Sequence, residues 1–362
     1  MVDDAYLTLA LVPGVGTTRL QRLLERFGTA AGALEAPIEE LVQAGGMTRT
    51  VATAIAATDR DIGRAALASV ARMGGRTFTF TDPGYPALLR TISDPPPVLF
   101  AKGDLDLLTR PAVAIVGSRD HTQYGAEVTR AIAQAAAGLG LVVVSGMARG
   151  LDAIAHQAAL DADGPTLGVL GTGLDLIYPA ANRELFERVA ARGLLLTEFL
   201  PGEPPHAASF PRRNRLISGL ARVTVVVEAA HTSGALRTAE CAQNQGREVL
   251  AVPGPITSPI SAGTNALIRD GATPLLELRD LMDHYPEVAA PEPTVGSPWH
   301  VSQQVRALLT ALRKEPLPAE RLVDRCGIPV AEALAVLSTL ELRGLVRQVG
   351  GFYRAAAQGL FQ

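Results

Sequence analysis

The chain of 362 residues carries a formal net charge of −3 at pH 7, is 48% hydrophobic and contains 4% aromatic residues. This length predicts two or three domains with a buried core. The acidic balance excludes a surface coated with positive charge, so any contact with a nucleic acid must come from a local patch.

The sequence pattern indicates neither secretion nor insertion into a membrane. Residues 1–14 begin with acidic side chains and their apolar run ends at Pro13-Gly14, which is unlike a signal peptide. We find no run of about eighteen apolar residues that would cross a bilayer. Cys241 and Cys326 lie far apart, which argues against a disulfide framework or a zinc site. We therefore expect a cytoplasmic protein.

Residues 1–75 are predicted to form a domain of short helices. LVPGVGTTRLQRLLERFG (11–28) places a Gly-Val-Gly turn between two helical patterns, and LVQAGGMTRTVATAI (41–55) repeats the arrangement less regularly. This resembles a tandem helix-hairpin-helix, or SAM-like, module, in which N–H groups at the turn can hold a phosphate. A plain helical bundle with glycine turns is the alternative, and both stay open.

The central domain is predicted to span residues 76–283, with a proline-rich entry over 81–108. From residue 112 onward, apolar segments that end at small residues alternate with helical patterns, as buried parallel strands do. The predicted strands are AVAIVG (112–117), LVVVSG (141–146), TLGVLG (166–171), LLLTEF (194–199), VTVVVEA (223–229) and EVLAVPG (248–254). This order predicts an α/β fold with a doubly wound, Rossmann-like parallel sheet whose ligands bind at the carboxyl ends of the strands.

The C-terminal part is predicted to be a linker, 284–298, and a winged-helix domain, 299–362. Its third predicted helix, 329–343, carries two glutamates and Arg343 as its cation, whereas a helix that reads a DNA groove presents several donors. We therefore favour a protein contact for this domain. A regulator that binds duplex DNA through the winged helix remains an alternative function.

Four loops at predicted strand ends combine glycines, hydroxyls and arginines: residues 117–119, 145–152, 171–173 and 228–234. Small residues let a backbone approach an anion closely, and helix N-termini direct N–H donors at it. Because the carboxyl ends of the strands meet at one sheet edge, we expect a groove that binds phosphates. The alternative is that these residues are ordinary turn formers. Neither a G-x-G-x-x-G turn nor a P-loop is present, so NAD and ATP are poor candidates and we expect no cofactor.

The segment FPRRNRLISGL (210–220) concentrates positive charge at a predicted helix start. Phe210 could stack on a nucleobase, and Arg212, Arg213 and Arg215 could neutralise phosphates. We predict that Pro211 keeps the chain extended until a helix begins at residue 212. Arginines at a helix N-terminus oppose the helix dipole, which favours an anionic partner. The alternative is that Phe210 fills the core and the arginines are solvated.

Five motifs in this order resemble the DNA processing protein A family (DprA, also called Smf). They are IVGSR, SGMARGLDAIAHQAAL, LGTGLDLIYPAAN, the run from FPRRNR to VPG, and SAGTNALIRDGATPLL, and together they cover about residues 80–280. Leu151 and Thr197-Glu198 depart conservatively from the family pattern.

The resemblance implies a single-stranded DNA binding protein of natural transformation and recombination that protects incoming strands and helps to load RecA onto them. It also implies a homodimer formed through the Rossmann-like domain, without catalytic activity or a metal. Combined with the loop chemistry, the expected single-stranded DNA site comprises Gly117, Ser118, Arg119, Ser145, Gly146, Arg149, Gly150, Phe210, Arg212, Arg213, Asn214, Arg215, Ser233 and Gly234.

An enzyme is the main alternative to this reading. SGALRTAE (233–240) resembles the glycine-rich turn, threonine and glutamate of nucleoside-monophosphate phosphoribohydrolases, although their consecutive glycines before the threonine are absent. Such a hydrolase needs a carboxylate beside a loop that grips phosphate. Glu228 and Glu240 are the candidate catalytic residues.

Overall fold

The computed structural model describes residues 3–288, 303–342 and 345–355. Its N-terminal part is helical, as predicted from the glycine-punctuated apolar patterns. The helices are α1 (Asp4–Ala10), α2 (Thr17–Phe27), α3 (Ala30–Glu35), α4 (Ile38–Gly45), α5 (Arg49–Ala56) and α6 (Ile62–Arg72). Their apolar faces form a cluster around Leu7, Leu20 and Leu41, which continues into Val98 and Phe100 of the central sheet.

The Gly-Val-Gly turn before α2 contacts the proline-rich entry of the central domain. Thr17 is buried, and its Oγ1 donates a hydrogen bond to the carbonyl of Pro95 at 2.6 Å. The start of α2 therefore packs against the protein's own backbone, and the resemblance to a phosphate-binding helix-hairpin-helix module stays a prediction.

The central domain alternates strands and helices along the chain. Its elements are β1 (Arg76–Thr79), α7 (Ala87–Arg90), β2 (Val98–Gly103), β3 (Ala112–Val116), α8 (Gln123–Gly138), β4 (Val142–Ser145), α9 (Leu151–Asp161), β5 (Thr166–Val169), α10 (Arg183–Arg192), β6 (Leu194–Thr197), α11 (Ser209–Gly219), β7 (Val223–Val226), α12 (Gly234–Asn244), β8 (Glu248–Ala251), α13 (Ala262–Arg269), β9 (Thr273–Pro274) and α14 (Leu278–Met282). Short 3-10 helices span Leu105–Leu108, Ala180–Asn182 and Pro259–Ser261.

These strands form one mixed sheet in the order β1-β2-β6-β5-β4-β3-β7-β8-β9. Neighbours from β6 to β9 are parallel, and β1 and β2 add an antiparallel edge next to β6. The predicted doubly wound α/β architecture is confirmed. Because β4 lies on one side of β3 and β7 on the other, the strand order reverses at β3, and a crevice opens there at the carboxyl ends of the strands.

The centre of the sheet is apolar on both faces, as expected for parallel strands covered by helices. Every residue of β3, β4 and β7 is buried. Residues 284–288 also belong to this body, since Tyr285 is buried and its hydroxyl donates to the carbonyl of Ala112 at 2.7 Å. Residues 289–298 of the predicted linker lie outside the described residues.

The C-terminal part has the expected winged-helix fold. Its elements are α15 (Gln303–Lys314), β10 (Leu317–Pro318), α16 (Ala319–Cys326), α17 (Val330–Leu342), β11 (Val346–Val349) and β12 (Phe352–Ala355), with strand order β10-β12-β11. The preference for a protein contact over DNA partly relied on Arg343, and this residue lies outside the described residues. In the parts of the chain that the structure describes, no helix has both the length and the apolarity needed to cross a bilayer.

Candidate nucleic-acid interface

A groove of about 490 Å³ opens where the strand order reverses, between the loops that follow β3 and β7. It adjoins a smaller cavity of about 60 Å³ beneath the loop that follows β4. Arg119, Phe210 and Arg213 contribute to the walls of both. The predicted residues that line at least one of the two are Gly117, Ser118, Arg119, Gly146, Arg149, Phe210, Arg213, Asn214, Ser233 and Gly234. Ser145, Gly150, Arg212 and Arg215 line neither.

Arg119 combines exposure with proximity to an aromatic ring. Its guanidinium carbon lies 5.9 Å from the centroid of the half-buried Phe210 ring, and within the described residues it forms no ion pair. By contrast, the guanidinium of Arg149 lies 3.7 Å from a carboxylate oxygen of Asp120. Arg119 therefore presents a cation that an incoming phosphate can approach without displacing a carboxylate.

Tyr178 is an aromatic member of the site that sequence reasoning did not assign. Its ring centroid lies 5.5 Å from that of Phe210, with a tilt of 35° between the planes, and the residue is 46% exposed. It also lines the smaller cavity. The only signal in the sequence was that Tyr178 lies within the motif LGTGLDLIYPAAN. Nothing in that motif indicates that its ring contacts Phe210, which lies on a different connection between strands.

Arg213 forms part of the floor of the groove. It is 5% exposed, and its Nη1 donates to the carbonyls of Gly146 and Val169, the latter at 2.7 Å. Burial lowers the pKa of Arg213 to about 10, with the buried carboxylate of Asp152 opposing the shift, so the cation persists at neutral pH. The alternative that this arginine is simply solvated is wrong for Arg213, because its guanidinium is buried and donates to loop carbonyls. A part for Arg213 in DNA binding stays a prediction.

Arg212 and Arg215 share one buried carboxylate. Glu198 Oε2 accepts from Arg212 at 3.2 Å and from Arg215 at 2.7 Å. The side chain of Arg212 is 56% exposed, whereas that of Arg215 is 15% exposed and lies 3.4 Å from a second carboxylate, on Asp94. The positive charge of the segment is thus partly neutralised within the protein, and only Arg212 of this pair has a guanidinium open to solvent.

The helix that carries these arginines begins earlier than predicted. α11 starts at Ser209 rather than at residue 212, so Phe210 and Pro211 lie in its first turn. Proline is tolerated in the first turn because the N–H that it lacks would have no partner within the helix. This start places Phe210 on rigid helical backbone at the rim of the groove.

Two loops of the groove are packed against each other through Gly150. Its φ of +80° lies in the left-handed region, and a Cβ at this position would collide with the Ser118 and Arg119 backbone. Leu151 N donates to Ser118 O at 3.1 Å across the same contact. Ser145 is buried below, where its Oγ donates to the carbonyl of Ile115 at 2.7 Å. Both predicted residues therefore shape the groove from behind its surface.

The start of α12 lines the groove. Ser233 is the N-cap residue, and its Oγ accepts from Ala235 N at 3.3 Å. Asn214, which is buried, donates to the carbonyl of Gly234 at 3.3 Å and connects α11 to this helix start. The partial positive charge of a helix N-terminus favours an anion here.

The two carboxylates that were candidates for a hydrolase, Glu228 and Glu240, do not lie in the groove. Glu228 is buried and accepts from the backbone N of Thr122 at 2.9 Å and from the Thr122 hydroxyl, which fixes the start of α8. Glu240 is exposed and its carboxylate lies 3.6 Å from Arg237. Neither lines the groove or the smaller cavity. The part of the chain that the structure describes contains no cluster of His, Cys, Asp and Glu suited to a metal ion.

Comparison with known proteins gives consistent matches. The family "DNA recombination-mediator protein A" matches residues 76–286, and the "DprA winged helix domain" matches residues 288–351. Protein Smf of Escherichia coli is 40% identical over 279 residues, which cover 74% of each chain.

Two solved structures are also similar to this chain. DNA processing protein A of Streptococcus pneumoniae superposes with a TM-score of 0.68 at 35% identity, covering 78% of this chain and 98% of the other. DNA processing protein A of Helicobacter pylori, whose structure was described for its single-stranded DNA binding mode, gives a TM-score of 0.54 at 31% identity, covering 59% and 96%.

Proposed function

The chain belongs to the DNA recombination-mediator protein A family, and on this premise we propose that the groove at its switch point binds single-stranded DNA. The family is one of DNA-processing proteins, so the general role of the chain is in DNA processing. The Helicobacter pylori relative binds single-stranded DNA, and the proposal extends that property to this chain.

The observation that carries the proposal is the pairing of an exposed guanidinium, which forms no ion pair with any described residue, with an aromatic ring. Arg119 and Phe210 lie at the boundary of the groove and the smaller cavity, and the start of α12 adds the partial positive charge of a helix N-terminus to the groove wall. A polynucleotide offers both of the groups that such a surface takes, a phosphate for the cation and a base face for the ring.

Single-stranded rather than duplex DNA fits these features. The faces of paired bases are stacked inside a duplex, whereas a single strand exposes them to rings such as Phe210 and Tyr178. Contacts to phosphates and base faces carry little sequence information, so binding is nearly independent of sequence. In the winged helix, the described α17 presents Glu332 and Glu341 and exposed apolar side chains such as Val330. This supports the earlier preference for a protein contact over duplex DNA.

The biological role that we propose follows the family resemblance. The protein shields incoming single strands in natural transformation and recombination, and helps to load RecA onto them in the cytoplasm. We further propose that it acts as a homodimer formed through the central domain. No catalytic step is proposed, because Glu228 accepts hydrogen bonds from Thr122, the N-cap residue of α8, and Glu240 lies outside the groove.

Binding measurements on the full chain test the proposal. Fluorescence anisotropy with labelled thymidine oligomers of increasing length is expected to give affinities that rise with length and fall with salt, and that exceed those for duplexes of equal length. Equal affinity for duplex, or no binding of single strands, would contradict it. A separate assay follows RecA filament formation on a strand precoated with a single-strand binding protein, and no acceleration by the chain would remove the RecA part alone.

A further inference from the structure

The loop that follows β4 has a backbone conformation that its own sequence does not favour. Met147 has φ of +56°, in the left-handed region that residues other than glycine rarely adopt. Such a conformation persists only where the surroundings hold it. The Met147 side chain is buried, and a Cβ on Gly168 would lie 2.7 Å from it, so packing fixes one side of this residue.

Hydrogen bonds from other parts of the fold hold the same loop. Arg213 donates to the carbonyl of Gly146, and Asp152 Oδ2 accepts from the Gly146 N–H at 3.2 Å. Both of these side chains are buried beneath the loop. They fix its first residue, but neither contacts the carbonyls of Met147 and Ala148.

Asn182 supplies that contact from the opposite wall. Its Nδ2 donates to the carbonyl of Met147 at 2.9 Å and to that of Ala148 at 3.2 Å. Asn182 is the last residue of the 3-10 helix Ala180–Asn182, which begins two residues after Tyr178. One amide group therefore connects the turn that carries Tyr178 to the loop that carries Arg149, and these form two walls of the smaller cavity.

We propose that Asn182 is a positioning residue for single-stranded DNA, which sets the distance between the Tyr178 wall and the 147–149 wall of the smaller cavity and thereby holds the Tyr178 ring in place to contact a base. This assignment rests on the proposed function and deepens it. Asn182 acts through Tyr178 and the loop rather than on a phosphate, so its effect falls on the part of binding that depends on bases.

Substitution Asn182→Asp tests the assignment with almost no change in volume. It replaces the donor with a carboxylate oxygen that faces two carbonyls, so the loop loses both hydrogen bonds and is repelled. We expect affinity of the full chain for a thymidine oligomer to fall about tenfold, with less than about a twofold change for an abasic strand of equal length. The dependence of affinity on salt is compared in Asn182→Ala, which adds no charge, and is expected to stay as in the wild type because the number of phosphate contacts is unchanged.

Two further variants separate positioning from other effects. Asn182→Ala removes the donor without adding charge and is expected to show the same selective loss. Asn244→Asp, at the exposed far end of α12, makes the same chemical change away from the groove and is expected to leave both affinities unchanged. Thermal midpoints near that of the wild type, and unchanged stoichiometry at saturation, verify that the variants are folded.

The outcomes separate this inference from the function on which it rests. If the wild type binds the thymidine oligomer and the Asn182 variants bind it equally well, the positioning assignment is wrong and the function stands. An equal loss for thymidine and abasic strands also overturns the assignment, since it would reflect backbone contacts or a smaller active fraction. If the wild type binds neither strand, the proposed function fails, and the assignment fails with it.

Discussion

The Arg119 guanidinium carbon and the centroid of the Phe210 ring lie 5.9 Å apart, although the two residues belong to different crossovers of the sheet. The cation sits at the rim of the groove, and the ring separates the groove from the smaller cavity. Arg149, Arg212 and Arg215 have carboxylate partners, whereas Arg119 has none within the described residues. A phosphate can therefore bind Arg119 without competing against an existing ion pair.

Arg119→Ala is accordingly expected to weaken binding of a thymidine oligomer at least about tenfold and to lower the slope of log affinity against log salt by about 0.7, the value for one phosphate on a single strand. Anisotropy titrations at several salt concentrations measure both quantities. Arg269→Ala is the matched control, because that side chain is 75% exposed on α13 and pairs with Asp270. Unchanged affinity in Arg119→Ala would reject this groove as the binding site.

Phe210→Ala is expected to distinguish stacking from packing. Loss of one base-stacking ring costs about 1–3 kcal/mol in affinity, and this cost requires a base. We therefore expect a large loss for a thymidine oligomer and a small loss for an abasic strand of the same length. Phe210→Trp, which retains an aromatic face, is expected to preserve most of the binding. A similar loss for both strands would mean that Phe210 supports the groove by packing against its neighbours.

Arg212 and Arg215 are expected to differ although they are three residues apart and share Glu198. Arg215→Ala removes the buried and closer of the two arginine partners of the Glu198 carboxylate and is expected to lower the free energy of unfolding by about 3 kcal/mol. Arg212→Ala removes only the solvent-exposed partner of Glu198, which keeps its hydrogen bond to Arg215, so the expected loss of stability is at most about 1 kcal/mol. This variant instead weakens DNA binding and its salt dependence. Urea unfolding and anisotropy on both variants check this. The reverse assignment of effects would contradict the structure.

The location of the site could be predicted from sequence because its signals are local. Continuous apolar runs that end in Gly117 and Gly146 indicate buried parallel strands, and their carboxyl ends must share one edge. Gly150 was expected to let the backbone approach an anion, whereas in the structure it lets two backbone segments of the protein approach each other. Each of these inferences depends on a few consecutive residues and on general rules of α/β topology.

The availability of each cation could not be predicted, because it depends on residues distant in sequence. Arg212 and Arg215 lie three residues apart on one helix, which the sequence shows. Their charges are partly neutralised by Glu198, which follows β6 and is distant in sequence. Arg213 is buried because carbonyls of Gly146 and Val169 converge on it. Tyr178 was missed for the same reason, since its contact with Phe210 exists only in the folded chain.

His156 provides a prediction about stability that is independent of DNA. It is buried on α9, and its Nδ1 lies 2.7 Å from the hydroxyl of Thr166, which itself donates to the carbonyl of Val143. Because the Thr166 hydroxyl hydrogen is donated to Val143, Nδ1 is the donor to Thr166 Oγ1. Burial lowers the pKa of His156 to about 3, so the native state holds the neutral ring.

The unfolded chain has an ordinary histidine pKa of about 6.5, so between that pH and about 3 it binds a proton that the native state does not. Stability therefore falls as pH is lowered through this window, and at pH 5 His156 alone accounts for a loss of about 2 kcal/mol relative to pH 7.5. Urea unfolding at the two pH values measures this loss. His156→Gln, which cannot take up a proton, is expected to lose about 2 kcal/mol less between them than the wild type. His231→Gln, at an exposed histidine, is the control and should follow the wild type. An equal pH dependence in His156→Gln and the wild type would mean that the ring is already protonated in the native state or that the site admits water.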